Sequence, residues 1–230
     1  MNASHSSSQA VNYFAKELSW LSFNERVLQE AKDKSNPIIE RMRFLGIYSN
    51  NMDEFFRVRV ADVKRRILLN KIPDANFEED EILLHQIQSK VLQLGKKFNQ
   101  IHKDILNDLN EHNIHVELPE ELSEFHLSWL KKFFHDNVLQ HILPILLSEK
   151  KDYSDQINDT MTYLFVEMTN QKSHYAMMEV PTDRVSRFVI LPPEKTRRHK
   201  TIVMLDDIIA YFIRDVFSSF FSFDDIQCYA

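Results

Sequence analysis

From Leu84 to Ile105 the apolar residues Leu84, Ile87, Val91, Leu94, Phe98, Ile101 and Ile105 recur at alternating steps of three and four. A seam of that period obliges a long helix to bury one stripe along its length against another helix. The partner stands just upstream. No proline interrupts the chain between Pro37 and Leu69, enough for a helix of about 50 Å at the usual rise per residue. Asn36 suits its N-cap and Pro37 its first position, where a missing N–H is no loss. The connection "NKIPDANF", broken at Pro73, is short, and short connections favour antiparallel neighbours within one chain over an intermolecular coiled coil. A third, shorter helix precedes them, opened by Ser22 and Glu25 in the form of a capping box and running to about Lys32.

After "EHNIHVELPEE" the periodicity changes. Ile114 and Val116 read as a short strand, and "SEFHLSWLKKFFHDNVLQHI" as an amphipathic helix ended by Pro144. The runs "MTYLFVEM", "HYAMMEV", "RFVIL" and "TIVML" read as strands of a mostly antiparallel sheet, and "DDIIAYFIRDVFSSFF" as a helix with Ile208, Ile209, Phe212, Ile213 and Val216 on its inner face. The expected fold is therefore α+β: a disordered tail over 1–13, a helical domain over 14–113 built from an antiparallel hairpin plus a short helix, and a mixed α+β domain over 114–230. Because "FDDIQCYA" stops in what reads as the start of a strand, that second domain is expected to be incomplete.

Composition excludes several functions. Hydrophobic residues make up 43% and charged ones 27%, a globular rather than a disordered balance. The single cysteine, Cys228, rules out an intrachain disulfide, a zinc ribbon or a Cys-x-x-Cys pair, and fits a reducing cytoplasm. No window reaches the roughly eighteen apolar residues of a membrane span, and the Ser-rich start lacks the apolar core of a secretion signal. The two glycines, Gly46 and Gly95, lie in neither GxGxxG nor GxxxxGK[ST], so glycine-rich phosphate cradles are excluded. A net charge of -6 argues against duplex binding, and no nucleic-acid partner is expected, although local cations can still hold phosphate.

Within "RFLGIYSNNMDEFFRVRVADVKRR", Asn51 shares a helical face with Phe44, Tyr48, Phe55 and Val58. Two readings are open. A carboxamide offers one donor and one acceptor to adenine's edge, with aromatics as a flat wall; equally, a buried amide can fix helix register. Asn50 points about 100° further round, toward solvent. Arg57, Arg59, Lys64, Arg65 and Arg66 line the rod beyond, with Asp53 and Asp62 placed to pair with Arg57 and Arg66. A second basic cluster, Lys195, Arg197, Arg198, His199 and Lys200, sits in a loop opened by Pro192-Pro193, and guanidinium forks in loops suit phosphate oxygens. His112 and His115 form a close pair with no cysteine or HExxH pattern to support a metal site. No metal ligands and no complete catalytic constellation are expected.

The run "ELSWLSFNERVLQEA", continuing through "RFLGIYSNNMDEF", resembles the amino-terminal region of the class 1 polyphosphate kinases, and the resemblance resumes in "HILPIL", "YLFVEM", "EVPTDRVSRFVILPPE" and "RRHKTIVMLDDII". It implies part of an enzyme that reversibly moves the terminal phosphate of ATP, with magnesium, onto inorganic polyphosphate. The family works through a phosphohistidine on domains that would lie beyond Ala230, so no catalytic residue is expected here and the piece alone should be inactive. The resemblance further implies a homo-oligomer, dimeric or larger, and a cytoplasmic enzyme or one peripheral to the inner membrane. By position in the SNN-M-DEF motif it makes Asn51 the residue that contacts the ATP base. From charge alone, Arg197, Arg198 and Lys200 are candidate polyphosphate contacts. The alternative is a stand-alone, non-catalytic helical binding or dimerisation module; a general polyanion-binding scaffold is a third reading.

Overall fold

A computed structural model describes residues 15–69, 77–148, 151–196, 198–218 and 221–229. The expected tail over 1–13, the connection at Pro73 and Arg197 lie outside the described residues. The chain divides into two compact units, one ending at Leu109 and the other beginning at Asn110.

The first unit is helical: α1 (Lys16–Lys32), α2 (Ile38–Glu54), a π-helical turn (Phe55–Val60), α3 (Ala61–Leu69) and α4 (Phe77–Glu111). Pairwise contacts fix their directions. Arg41 on α2 donates from Nε to the Ala31 carbonyl at 2.9 Å, and Phe55 stacks on Trp20 at 4.8 Å, so α1 and α2 run antiparallel. Toward α4, Arg41 meets Asp108, Tyr48 stacks on Phe98 at 5.5 Å and Arg66 meets Asp80 at 2.7 Å, so the rod and α4 are also antiparallel. Of the expected seam on α4, Ile87, Leu94, Ile101 and Ile105 are buried. The anticipated helical hairpin with a third, shorter member is what forms.

Three local expectations are corrected. α1 begins at Lys16, not Ser22, because the buried stripe Glu17, Leu21, Asn24, Leu28 and Ala31 runs through the expected cap; Ser22 sits mid-helix and its hydroxyl donates back to the Leu18 carbonyl at 3.0 Å. Asn36 does not cap α2: its Nδ2 turns back to the Glu30 carbonyl at 3.0 Å, closing the end of α1 instead. The long rod is not a uniform α-helix either. Its buried positions step by three and four through Arg41, Leu45, Tyr48, Met52 and Phe55, then jump to Val60 and Val63. A regular helix continuing from Phe55 would turn Arg59 and Asp62 inward. The wider π turn, in which the Ala61 N–H reaches the Phe56 carbonyl, advances the register by one residue and brings the two valines in.

The second unit contains β1 (Ile114–Val116), α5 (Glu124–Phe133), β2 (Ile145–Leu147), β3 (Tyr163–Thr169), β4 (Ser173–Glu179), β5 (Phe188–Ile190), β6 (Lys200–Met204), α6 (Leu205–Tyr211), α7 (Ile213–Phe217) and β7 (Asp225–Tyr229). The expected single sheet is two. One is antiparallel in the order β2-β4-β3-β7; the other, β1-β6-β5, contains a parallel pair, β1 with β6. The β3–β4 hairpin turns at Asn170, whose Oδ1 accepts from the Lys172 N–H at 3.0 Å. Alternation along β3 buries Leu164, Val166 and Met168, and these join Leu130, Phe134 and Val138 from α5 and the turn after it. The expected inner face of the last helix is correct: Ile208, Ile209, Phe212, Ile213 and Val216 are all buried, with Phe212 stacked on Phe134 at 5.0 Å. The helix itself breaks at Phe212 into α6 and α7. No helix among the described residues is long and apolar enough to cross a membrane.

Candidate functional site

Asn51 is held by a residue that apolar periodicity does not single out. It stands three residues before the end of α2, half-buried, and its Nδ2 donates to Oδ1 of Asn24 at 2.9 Å. Asn24 comes from α1, 27 residues away, and has no exposed surface. Its own Nδ2 has no hydrogen-bond partner among the described residues. A signal was present in the sequence: Asn24 occupies the stripe whose other members include Leu21, Leu28 and Ala31, and an amide in such a stripe stands out.

The aromatic neighbours are committed elsewhere. Tyr48 is stacked on Phe98 and Phe55 on Trp20, inside the helical core. Burial, with the charge of Glu25 nearby, pushes the Tyr48 phenol above its ordinary value. Val58, expected on the same face, is carried outward by the π turn and is exposed, as is Phe56. Asn50 is exposed, as expected. Of the flat wall anticipated beside Asn51, Tyr48 and Phe55 are therefore core rather than surface, while Phe44 is half-buried.

Glu25, one residue beyond Asn24, receives Lys90 at 2.5 Å and also Lys97, both from α4. The hydrogen bond from Lys90, then that from Lys97, holds its carboxyl below the usual range. Further along the rod the expected pairs are present, Asp53 with Arg57 at 3.6 Å and Asp62 with Arg66 at 2.8 Å. Arg57, Arg59 and Arg65 line a shallow basic groove of about 390 Å³ beside the π turn, with Asp62 at its edge.

In the second unit the basic cluster is divided between loop and strand. Lys195 and Arg198 are exposed, whereas Lys200 opens β6 and its N–H donates to the Asn113 carbonyl at 2.9 Å. The base of the loop is anchored: buried His126 donates from Nε2 to the Pro192 carbonyl at 3.0 Å, and the Ser123 hydroxyl to Glu194 at 2.9 Å. A carbonyl only accepts, which fixes the His126 tautomer.

His115 finds a ring partner, though not His112. The parallel pairing of β1 with β6 brings His199 against it, with ring centroids 3.8 Å apart and planes 9° from parallel. Nε2 of His199 donates to Oε1 of Glu117 at 3.2 Å. Potential ligand atoms of His115, Glu117 and His199 lie within 4.8 Å of one another. An imidazole binds a metal in its own plane, along a nitrogen lone pair, so two face-to-face rings do not aim at a common point. One ring would have to turn before the three could share an ion.

Comparison with known proteins accounts for nearly all of this chain. Residues 13–117 match the family model described as the polyphosphate kinase N-terminal domain, and 126–230 that of the polyphosphate kinase middle domain. The chain is 44% identical to a polyphosphate kinase of Vibrio vulnificus (strain YJ016), covering 95% of itself and 31% of that protein. It is 46% identical to one of Escherichia coli (strain K12), covering 95% of itself and 32% of the relative. A crystal structure of polyphosphate kinase from Porphyromonas gingivalis superposes with a TM-score of 0.80 at 33% identity, over 96% of this chain and 33% of that one. The chain thus spans about a third of the length of these relatives. Two consecutive domain models matched in order, on two units that fold accordingly, place this chain in the polyphosphate kinase family.

Proposed function

We propose that this chain is the amino-terminal part of an enzyme that reversibly transfers the terminal phosphate of ATP to inorganic polyphosphate, with magnesium, through a phosphohistidine on domains following residue 230. In this reading the helical unit covers the adenine, Asn51 contacts it, and the α+β unit supports a homo-oligomer. Arg198 and Lys200 contact the polymer, and Arg197, outside the described residues, is the third candidate. The family membership supports the reaction class. The observation that carries the site is the state of the Asn51 side chain: among the described residues its sole hydrogen bond is the one to Asn24. Its Oδ1 and second N–H, the acceptor and donor that an adenine edge requires, remain available.

Phosphoryl transfer depends on positioning and charge stabilisation, so a contact to the base governs nucleotide affinity more than the chemical step. Asn51→Ala in the full-length enzyme is expected to raise the ATP KM about five- to tenfold, the scale of one or two hydrogen bonds, with a smaller change in kcat. An unchanged ATP KM overturns the assignment.

A further inference from the structure

We propose that Asn24 is the positioning residue for Asn51, and that through the 2.9 Å bond between their amides it sets which purine the site prefers. The inference rests on Asn51 contacting the base.

A carboxamide can turn over end for end about its last torsion, exchanging its oxygen and nitrogen, and an unrestrained one presents either order to a ligand. In one order Oδ1 accepts from adenine's exocyclic amino group while Nδ2 donates to a ring nitrogen. In the other, Nδ2 faces guanine's O6 and Oδ1 faces its ring N–H. Asn24 removes that freedom. One N–H of Asn51 is committed to Asn24 Oδ1, which holds one order toward the base, the order that the proposed adenine contact uses. Turning Asn51 over by itself would set two carbonyl oxygens against each other, so the two amides keep or change their order only together.

The unpartnered Nδ2 of Asn24 is the second, independent observation. A fully buried donor without an acceptor destabilises a fold, and an aliphatic residue of similar shape would avoid that penalty in the stripe of α1. Retaining an amide there is explained by what its oxygen does for Asn51 rather than by packing.

The test is a double-mutant cycle in the full-length enzyme with Asn24→Leu, Asn51→Ala and the pair. ATP KM, kcat and GTP inhibition are read for each, and thermal unfolding checks the fold. Leucine nearly matches asparagine in shape and removes the orphaned donor, so the fold should survive; Asn24→Ser is the second variant should it not. Asn24→Leu is expected to raise the ATP KM about three- to tenfold with kcat little changed, and to shrink the preference for ATP over GTP by a similar factor. The double variant should then be no worse than Asn51→Ala alone. If Asn51→Ala raises the ATP KM but Asn24→Leu leaves both the KM and the purine preference unchanged, Asn24 is only a core residue and the inference fails. Additive effects of the two substitutions overturn it equally. If Asn51→Ala itself has no effect on KM, it is the reading of Asn51 that fails.

Discussion

Nη1 of Arg41 donates to Oδ2 of Asp108 at 2.6 Å across 67 residues of sequence, joining the first turn of α2 to the last turn of α4. Arg41 is 3% exposed and Asp108 9%, and the same Asp108 carboxylate also receives Lys34 at 2.9 Å. The pair clamps the closed end of the helical unit, where the alternation of three and four would otherwise place a cation in the core.

Acid should loosen this clamp. The hydrogen bond from Arg41, then that from Lys34, holds the Asp108 carboxyl below its ordinary value. A carboxylate depressed in the folded state contributes its full stabilisation above the unfolded pKa, near 3.9, and loses it as pH falls through the lower folded value. Asp108→Asn is expected to lower the Tm at pH 7, where Arg41 is left buried without its counter-charge, and to flatten the loss of Tm below about pH 4. Equal Tm differences between variant and parent at pH 7 and at about pH 2 would show that the linkage is absent.

The π turn makes an unusual prediction about deletions. Residues 56 to 59 are exposed, and the turn adds one residue between inward-facing Phe55 and Val60. Removing Val58 should convert the turn to ordinary α-helix while keeping Val60 and Val63 in the core, with Tm within about 5 °C of the parent. Removing Ile47, also exposed, shifts every downstream side chain by about 100° with nothing to absorb it. That variant should lose its cooperative transition in circular dichroism. Equal damage from the two deletions would contradict the register argument.

Cys228 should be a poor nucleophile despite standing on β7, an edge strand of its sheet. Burial pushes its thiol up to about 11. Since the thiolate is the reacting species, modification by an aromatic disulfide at pH 8 is expected to be at least a hundredfold slower, roughly, in the native chain than in urea. Equal rates would show that the thiol is not shielded.

Charge reversal in the basic loop tests the proposed polymer contact. Arg198 is exposed, and Arg198→Glu in the full-length enzyme should weaken polyphosphate binding about fivefold at low ionic strength and progressively less as salt rises. A loss of binding that does not depend on salt, or no loss, would remove Arg198 from the polymer's path.

Much of the fold was legible because it follows from period. The seam of α4, the inner face of α6 and α7 and the hairpin of β3 and β4 all follow from where apolar residues fall. Features set by competition between neighbours were not legible. Ser22 has the makings of a cap, but the stripe from Glu17 to Ala31 keeps the chain helical through it. Asn36 can cap α2 or close α1, and the turn geometry of Asp33 to Pro37 selects the second. β2, three residues long after Pro144, has too few positions to show alternation. The motif that singles out Asn51 was readable as family resemblance; the pairing of Asn24 with it, and the loss of Tyr48 and Phe55 to the core, were not.

The sequence by itself determined the helices, most of the strands and the family, because periodic burial and long motifs are written one residue after another. Tertiary structure alone decided that Asn24 meets Asn51, that Arg41 meets Asp108 and that His115 stacks on His199. A hydrogen bond or ring contact needs two groups within a few ångströms, and separation along the chain says nothing about that until the helices have packed and the strands have chosen their register.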